Sequence, residues 1–217
     1  MMGKDLATFS TCGNDSVYHR PVEKITAFVL AGGKSLRMGR DKAFLEFGER
    51  TLLERALAVA GGNGREVHIL GDPAQFARFG PTVQDIFRGC GPLGGIHAAL
   101  RSSMTKWNLM LAVDMPFVSD AFLTWLTKEA IRCGTKVTAP RTSRGYEPLC
   151  AVYRRDFVVC AEQALRAGNN RIDVLFEAEQ SRIIEPAELA ELGFAQDIFR
   201  NLNTPEEWQH ALGNLKQ

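Results

Sequence analysis

At 217 residues, with 45% hydrophobic and 24% charged side chains, the chain is sized for one globular unit with a sizeable core. A formal net charge of +1 excludes the broad basic field of a nucleic-acid binder, and no apolar run approaches the length needed to span a bilayer. Any anion site must therefore be local. The five cysteines (Cys12, Cys90, Cys133, Cys150 and Cys160) are odd in number and lack C-x-x-C spacing, which argues against a zinc site or a disulfide framework and for a reduced, cytoplasmic protein.

Residues 1–23 are polar and lack the apolar core of a signal peptide, so they read as a flexible leader before one domain over 24–217. The run 25–30 is apolar and rich in β-branched and aromatic residues, as a buried strand is. It stops at Gly32-Gly33, where the backbone can turn sharply, and Lys34, Arg37, Arg40 and Lys42 follow among small and polar neighbours. A strand ending in a glycine turn rich in cations suits a phosphate: backbone N–H groups point into the loop and the cations neutralise the anion. The loop is neither a P-loop, because Arg40 follows Gly39, nor a dinucleotide fingerprint, because Lys34 stands where the second glycine belongs.

Thr51-Leu-Leu-Glu54 is a capping box that opens an amphipathic helix ending at Gly61-Gly62. A second strand spans 66–70, Asp72-Pro73 starts a short helix, and a brief third strand over 82–84 ends at Asp85. Residues 88–95 read as a glycine-rich loop leading into a helix from about Ile96 to Ser102. The run 107–113 is almost wholly apolar, as a central strand covered on both faces must be, and it ends at Asp114. Ser119 caps a long helix to Gly134, 136–139 is the next strand, and 147–153 reads as a strand antiparallel at an edge. A helix over 156–167 closes at Gly168, and Thr204-Pro-Glu-Glu207 caps a last helix. The alternation predicts an α/β fold: a Rossmann-like, doubly wound, mostly parallel sheet with helices on both faces.

In such sheets ligands lie beyond the carboxyl ends of the strands. There this sequence places Gly32 to Lys42, Gly71, Asp85 and Asp114. Asp114, fixed at the end of an apolar strand and stiffened by Pro116, suits Mg²⁺, which binds through one or two carboxylates plus substrate phosphates. Its alternative, capping the next helix, is already met by Ser119. Lys42 and Arg37 would hold a triphosphate and stabilise charge on the attacked phosphate and the leaving group. Asp85 is either a ligand contact or a loop cap, and Gly91-Pro-Leu-Gly-Gly95 either makes room for a flat base or is a tight packing turn.

The loop L-A-G-G-K-S-L-R-M-G-R-D-K resembles the signature of molybdenum cofactor guanylyltransferases, within the wider group of nucleotidyltransferases that join a nucleoside monophosphate to a phosphorylated acceptor. The resemblance runs from about Ile25 to Trp208 and implies a nucleotidyltransferase domain over 24–217. It implies GTP and molybdopterin or molybdenum-molybdopterin as substrates, Mg²⁺ as cofactor, and molybdenum-insertion and target molybdoenzymes as partners. It implies nucleotide contacts at Leu30, Ala31, Gly32, Gly33 and Lys42, a further contact near Gly71, a guanosine contact near Asp85, and the magnesium aspartate at Asp114. Glu147, Asn201 and Asn203 fall in segments that the family places on the acceptor side, and Arg141, Arg144 and Arg171 are candidates to meet the acceptor phosphate or are solvated surface charges. Relatives that use CTP read L-A-A-G at the loop, so the added glycine here favours a purine. Two rivals stand beside this reading: a CTP-dependent sister enzyme and a GTP-binding partner in molybdenum delivery that transfers nothing.

Overall fold

The structure, a computed structural model, describes residues 23–32, 41–202, 207–208 and 211. The expectations for the leader up to residue 22, for Gly33, Lys34, Arg37 and Arg40, for Asn203, and for the cap at Thr204 lie outside the described residues. The elements in chain order are β1 (Ile25–Leu30), β2 (Glu46–Phe47), β3 (Arg50–Thr51), α1 (Leu52–Ala60), β4 (Glu66–Leu70), α2 (Pro73–Phe76), β5 (Thr82–Val83) and α3 (Gly91–Ser102). Then come β6 (Trp107–Ala112), α4 (Asp120–Cys133), β7 (Val137–Thr142), β8 (Gly145–Tyr146), β9 (Cys150–Arg154), α5 (Phe157–Arg166), α6 (Ile172–Ala178), β10 (Ser181–Ile184) and α7 (Pro186–Glu191).

The main sheet has the order β10-β7-β9-β6-β1-β4-β5, with β8 paired to β7, and β2 and β3 form a separate antiparallel ribbon. Along that path only β9 runs against its neighbours, so the sheet is mostly parallel as the sequence predicts. Successive side chains of each central strand enter opposite cores. Ala27 and Val29 of β1, Leu109 and Leu111 of β6, and Cys150 and Val152 of β9 pack with α1 and α4 on one face. Phe28, Met110, Ala151 and Tyr153 pack with α3 and α5 on the other.

Local chemistry sets the helix ends. Thr51 and Glu54 form the reciprocal capping box of α1. Asp72 Oδ1 accepts the Ala74 amide at the start of α2 (3.0 Å). Ser119 Oγ accepts the Phe122 amide, and Gly134 closes α4 in the left-handed region (φ 69°). Among the described residues no helix is long and apolar enough to cross a membrane.

Three sequence expectations need correction. α3 begins at Gly91, not Ile96: the run taken for a loop is the first turns of the helix, kept there by buried packing of Gly94 and Gly95 in spite of glycine's poor helix propensity. The strand after α4 continues through Pro140, because the proline carbonyl accepts the Glu147 amide (2.9 Å) where β7 has parted from β9 and pairs with β8. β9 is an interior strand, flanked by β6 and β7, and its Cys150-Ala-Val-Tyr153 run is buried throughout. The third strand is also one residue shorter than expected, ending at Val83.

Two packing details give direct tests. A Cβ added at Gly71 would sit 2.7–2.8 Å from the ring of Phe76, which is itself 1% exposed and has nowhere to go. Gly71→Ala should therefore cost about 1–3 kcal/mol of stability, read as a lower urea midpoint at unchanged slope. Hydrogen bonds from Arg132, and then Arg182, hold the Glu129 carboxyl down at about 2, against the upward push of its burial. A depressed carboxyl stabilises the fold fully above its ordinary value of 4.5 and loses that contribution as pH falls through the folded value. Glu129→Gln should lose about 2 kcal/mol at pH 7, and thermal melts should show the gap to the native protein closing between pH 4.5 and 2.

Candidate active site

The carboxyl ends of β6, β1, β4 and β5 lie side by side because the strands are in register there: Leu30 faces Ala112 on one side and Leu70 on the other, and Leu70 faces Val83. Backbone bonds continue past the strand ends. The Ala31 and Gly32 amides both donate to Leu70 O (3.0 Å each), Gly71 N donates to Val83 O (3.0 Å), and Val113 N donates to Leu30 O (3.1 Å). A Cβ at Gly32 would lie 3.2 Å from the Gly71 Cα, so these two glycines allow the β1 and β4 turns to touch backbone to backbone. The need for glycine at position 32 thus has a packing cause beyond the sharp turn that the sequence reading gave it.

Lys42 opens a 3₁₀ turn, Lys42–Phe44, whose cap is Asp41: its Oδ1 accepts the Ala43 amide (3.0 Å) and its Oδ2 accepts from Gln75 Nε2 (2.6 Å). Phe44 stacks on Phe76, so α2 holds the turn from a second side. This fixes Lys42, 9% exposed, with its Nζ 3.5 Å from Asp114 Oδ2. Asp41 and Gln75 were missed as support for Lys42. The Asp41 cap was legible as an Asx residue before a turn, but the Gln75 contact spans 34 positions and left no local trace.

Asp85 is brought to the same edge. Its carboxylate lies over the start of α3, with Oδ1 3.6 Å from where a Gly95 Cβ would stand and Oδ2 3.7 Å from that of Gly94. Leu30 and Leu70 bound the same spot, and a Cβ at Gly94 would also strike Phe87 O at 2.7 Å. Of the glycines in the Gly91–Gly95 run, Gly94 is therefore the one close packing requires, because only a residue without a Cβ fits beneath the Phe87 carbonyl. Among the described residues nothing donates to this carboxylate, and burial pushes its pKa up from the ordinary 3.8. Beyond it, Phe87 meets the buried His97 edge-on (5.0 Å), and burial pushes the His97 pKa down, which suits a packing role.

On the other side of Asp114 the chain returns twice. The Leu202 amide donates to Asp114 O (3.3 Å), which lays residues 200–202 along the turn after β6. Glu147, 7% exposed, sits in the β7–β9 connection, where Thr142 Oγ1 (3.0 Å) and Arg144 Nη2 (3.3 Å) donate to its Oε1. Burial raises its pKa, the two donors oppose that, and the Asp114 charge adds to the rise. Asn201, beside Leu202, has a buried Oδ1 with no hydrogen-bond partner. Of the arginines, Arg144 is held by Glu147 and by Phe199 O (2.7 Å), Arg141 pairs with Glu185, and Arg171 pairs with Asp173. None of the three presents an unengaged guanidinium.

The edge therefore joins a lysine–aspartate pair, a half-buried carboxylate without a donor among the described residues, and a polar side built from a second part of the chain. Such an arrangement can hold a polyanion, carry one divalent cation and discriminate a base.

Comparison with known proteins agrees with this geometry. Residues 27–183 match the family described as MobA-like NTP transferase domain. The chain is 31% identical over 193 residues to a protein of Clostridium perfringens named "probable molybdenum cofactor guanylyltransferase", covering 87% of this chain and 96% of that one. It is 33% identical over 184 residues to a protein of the same name from Pelotomaculum thermopropionicum, covering 84% and 89%. Among solved structures it superposes on molybdopterin-guanine dinucleotide biosynthesis protein A from Archaeoglobus fulgidus with a TM-score of 0.76 and 26% identity, over 88% of this chain and 98% of that one. The chain belongs to the MobA-like NTP transferase domain family and is a nucleotidyltransferase.

Proposed function

We propose that this enzyme transfers GMP from GTP to the terminal phosphate of molybdopterin or molybdenum-molybdopterin, forming the guanine dinucleotide and releasing pyrophosphate. The observation that carries the choice of base is the Asp85 carboxylate, half-buried over Gly94 and Gly95 and without a donor among the described residues. A carboxylate only accepts hydrogen bonds, and guanine offers two adjacent donors, N1–H and N2–H, on one edge. Cytosine and adenine set a single amino donor beside a ring acceptor, which would face the second carboxylate oxygen unpaired. The proteins named as guanylyltransferases among the relatives support the same reading.

Lys42 neutralises the triphosphate, leaving Asp114 when a stronger anion arrives, and the Gly32 and Gly71 turns let phosphates approach the backbone. Arg37 would add a second cation from the loop. An acceptor phosphate oxygen attacks the α-phosphorus. The new P–O–P bond forms as the α–β bridging bond breaks, and the electron pair leaves with pyrophosphate, so no protein nucleophile is needed. Magnesium fits the donor set: it takes one or two carboxylates plus substrate phosphates and waters, and among the described residues no group of three or more acidic, His or Cys side chains forms an all-protein cage. Asp114 would hold it, and the ion would supply neutralisation of the triphosphate charge. The acceptor would lie between Glu147 and Asn201, with Asn203 contributing from the same segment.

Two measurements test this reading. With Mg²⁺ and molybdopterin, pyrophosphate release is expected with GTP and not with CTP or ATP, and Asp114→Ala should lower it by about a thousandfold or more with the fold intact by circular dichroism. Release with CTP alone would overturn the assignment of the base. Asp85→Asn should reduce the preference for GTP over CTP at least about tenfold. Because burial raises the Asp85 pKa, ionising that group costs the folded state stability as pH rises through the folded value. The nucleotide-free Asn variant should therefore melt no lower than the native protein at pH 7, with any gain vanishing as pH falls toward 3.8.

A further inference from the structure

We propose that Arg144 is a positioning residue for the acceptor side, tying the turn after β7 to the 199–202 segment so that Asn201 and the Glu147 carboxylate are held in fixed relation to Asp114. The inference rests on the reading above that the acceptor lies between Glu147 and Asn201.

The guanidinium bridges two elements far apart in sequence. Arg144 Nη2 donates to Phe199 O at 2.7 Å and to Glu147 Oε1 at 3.3 Å. The turn that carries it is itself fixed, since the Arg144 amide donates to Thr142 Oγ1 (3.2 Å) and the same hydroxyl donates to Glu147 Oε1 (3.0 Å). A second bond joins the same two elements, from the Ser143 amide to Gln196 Oε1 (3.4 Å). Three residues beyond Phe199 the chain reaches Asp114 through the Leu202 amide. The path from Arg144 to the aspartate is therefore short and made of named hydrogen bonds.

Stability does not account for this arrangement. The segment is anchored by burial of Phe199 (0% exposed, edge-on to Phe122) and Leu202 (1%), whereas the Arg144 side chain is 55% exposed. A half-exposed ion pair adds little to the fold. What the arginine adds is direction. It sets the Phe199 carbonyl and, with Thr142, occupies Glu147 Oε1, leaving Oε2 as the oxygen with no donor among the described residues. A lysine keeps the charge and the donors but lacks the planar guanidinium that holds Nη2 between the two acceptors.

The test uses the full chain, with Arg144→Ala and Arg144→Lys compared by pyrophosphate release at varied molybdopterin and varied GTP. The alanine variant should raise the acceptor KM about tenfold with the GTP KM within about twofold, and lysine should recover about a third of that loss. In parallel, hydrogen exchange at the Leu202 amide should quicken about tenfold in the alanine variant, with Ile69 in β4 unchanged. An unchanged acceptor KM in an active enzyme, a GTP KM that rises in step, or an unaltered Leu202 exchange rate would each overturn the proposal. If the native protein itself releases no pyrophosphate with molybdopterin, the substrate reading falls, and Leu202 exchange still decides whether Arg144 positions the segment.

Discussion

The site depends on the carboxyl end of β1 being locked between two neighbours. Leu70 O accepts both the Ala31 and the Gly32 amides, and Leu30 O accepts the Val113 amide. Three separate turns are thereby held to one line by main-chain bonds alone, which no side-chain substitution removes. The close contact of Gly32 with Gly71 completes the line. Everything chemical is hung on it: Asp114 is the residue after Val113, the segment that ends at Lys42 starts at Gly32, and Asp85 follows the strand that pairs with β4. A parallel sheet gathers successive strand ends at one edge, and here that general property is tightened into contact distance.

The electrostatics differ on the two sides of that line. On one side, Lys42 Nζ lies 3.5 Å from Asp114 Oδ2 and the two charges face one another, partly desolvated. Away from that pair, half-buried Asp85 and buried Glu147 are carboxyls whose pKa burial pushes up. Burial disfavours the charged form of each, and a donor to the carboxylate opposes that. Groups strained in this way are better placed to recognise ligands than to stabilise the empty protein. Glu147 has its relief built in through Thr142 and Arg144, and Asp85 has none among the described residues. That contrast makes Asp85 the more discriminating of the two.

Most of this was legible in the sequence where the signal was local. The capping box at Thr51, the Asp72-Pro73 start, the Ser119 cap and the almost wholly apolar 107–113 run each fix an element by short-range chemistry, and each element was read from it. The strand ends, and with them Asp85 and Asp114, followed from those elements. The failures came where distant packing overrules local preference. The run 91–95 read as a glycine-rich loop, yet it is helical and buried at Leu93, Gly94 and Gly95, with no room for a side chain at Gly94 beneath the Phe87 carbonyl. The strand after α4 read as 136–139, yet Pro140 continues it and its carbonyl accepts the Glu147 amide. The Gln75–Asp41 and Arg144–Phe199 contacts join residues 34 and 55 positions apart, which composition and periodicity do not encode.

The reversed strand β9 has a consequence for how such an enzyme can diversify. Because β7 rises to the candidate edge and β9 descends from it, the chain between them turns back at that edge, with β8 paired to β7 before β9 begins. Lengthening that turn would add only about 0.6 kcal/mol of closure entropy per doubling and would shift no register among β1, β4 and β6. The Glu147 side of the edge is thus decoupled from the side that carries Lys42 and Asp85. Related chains can rebuild one recognition surface residue by residue and inherit the other intact.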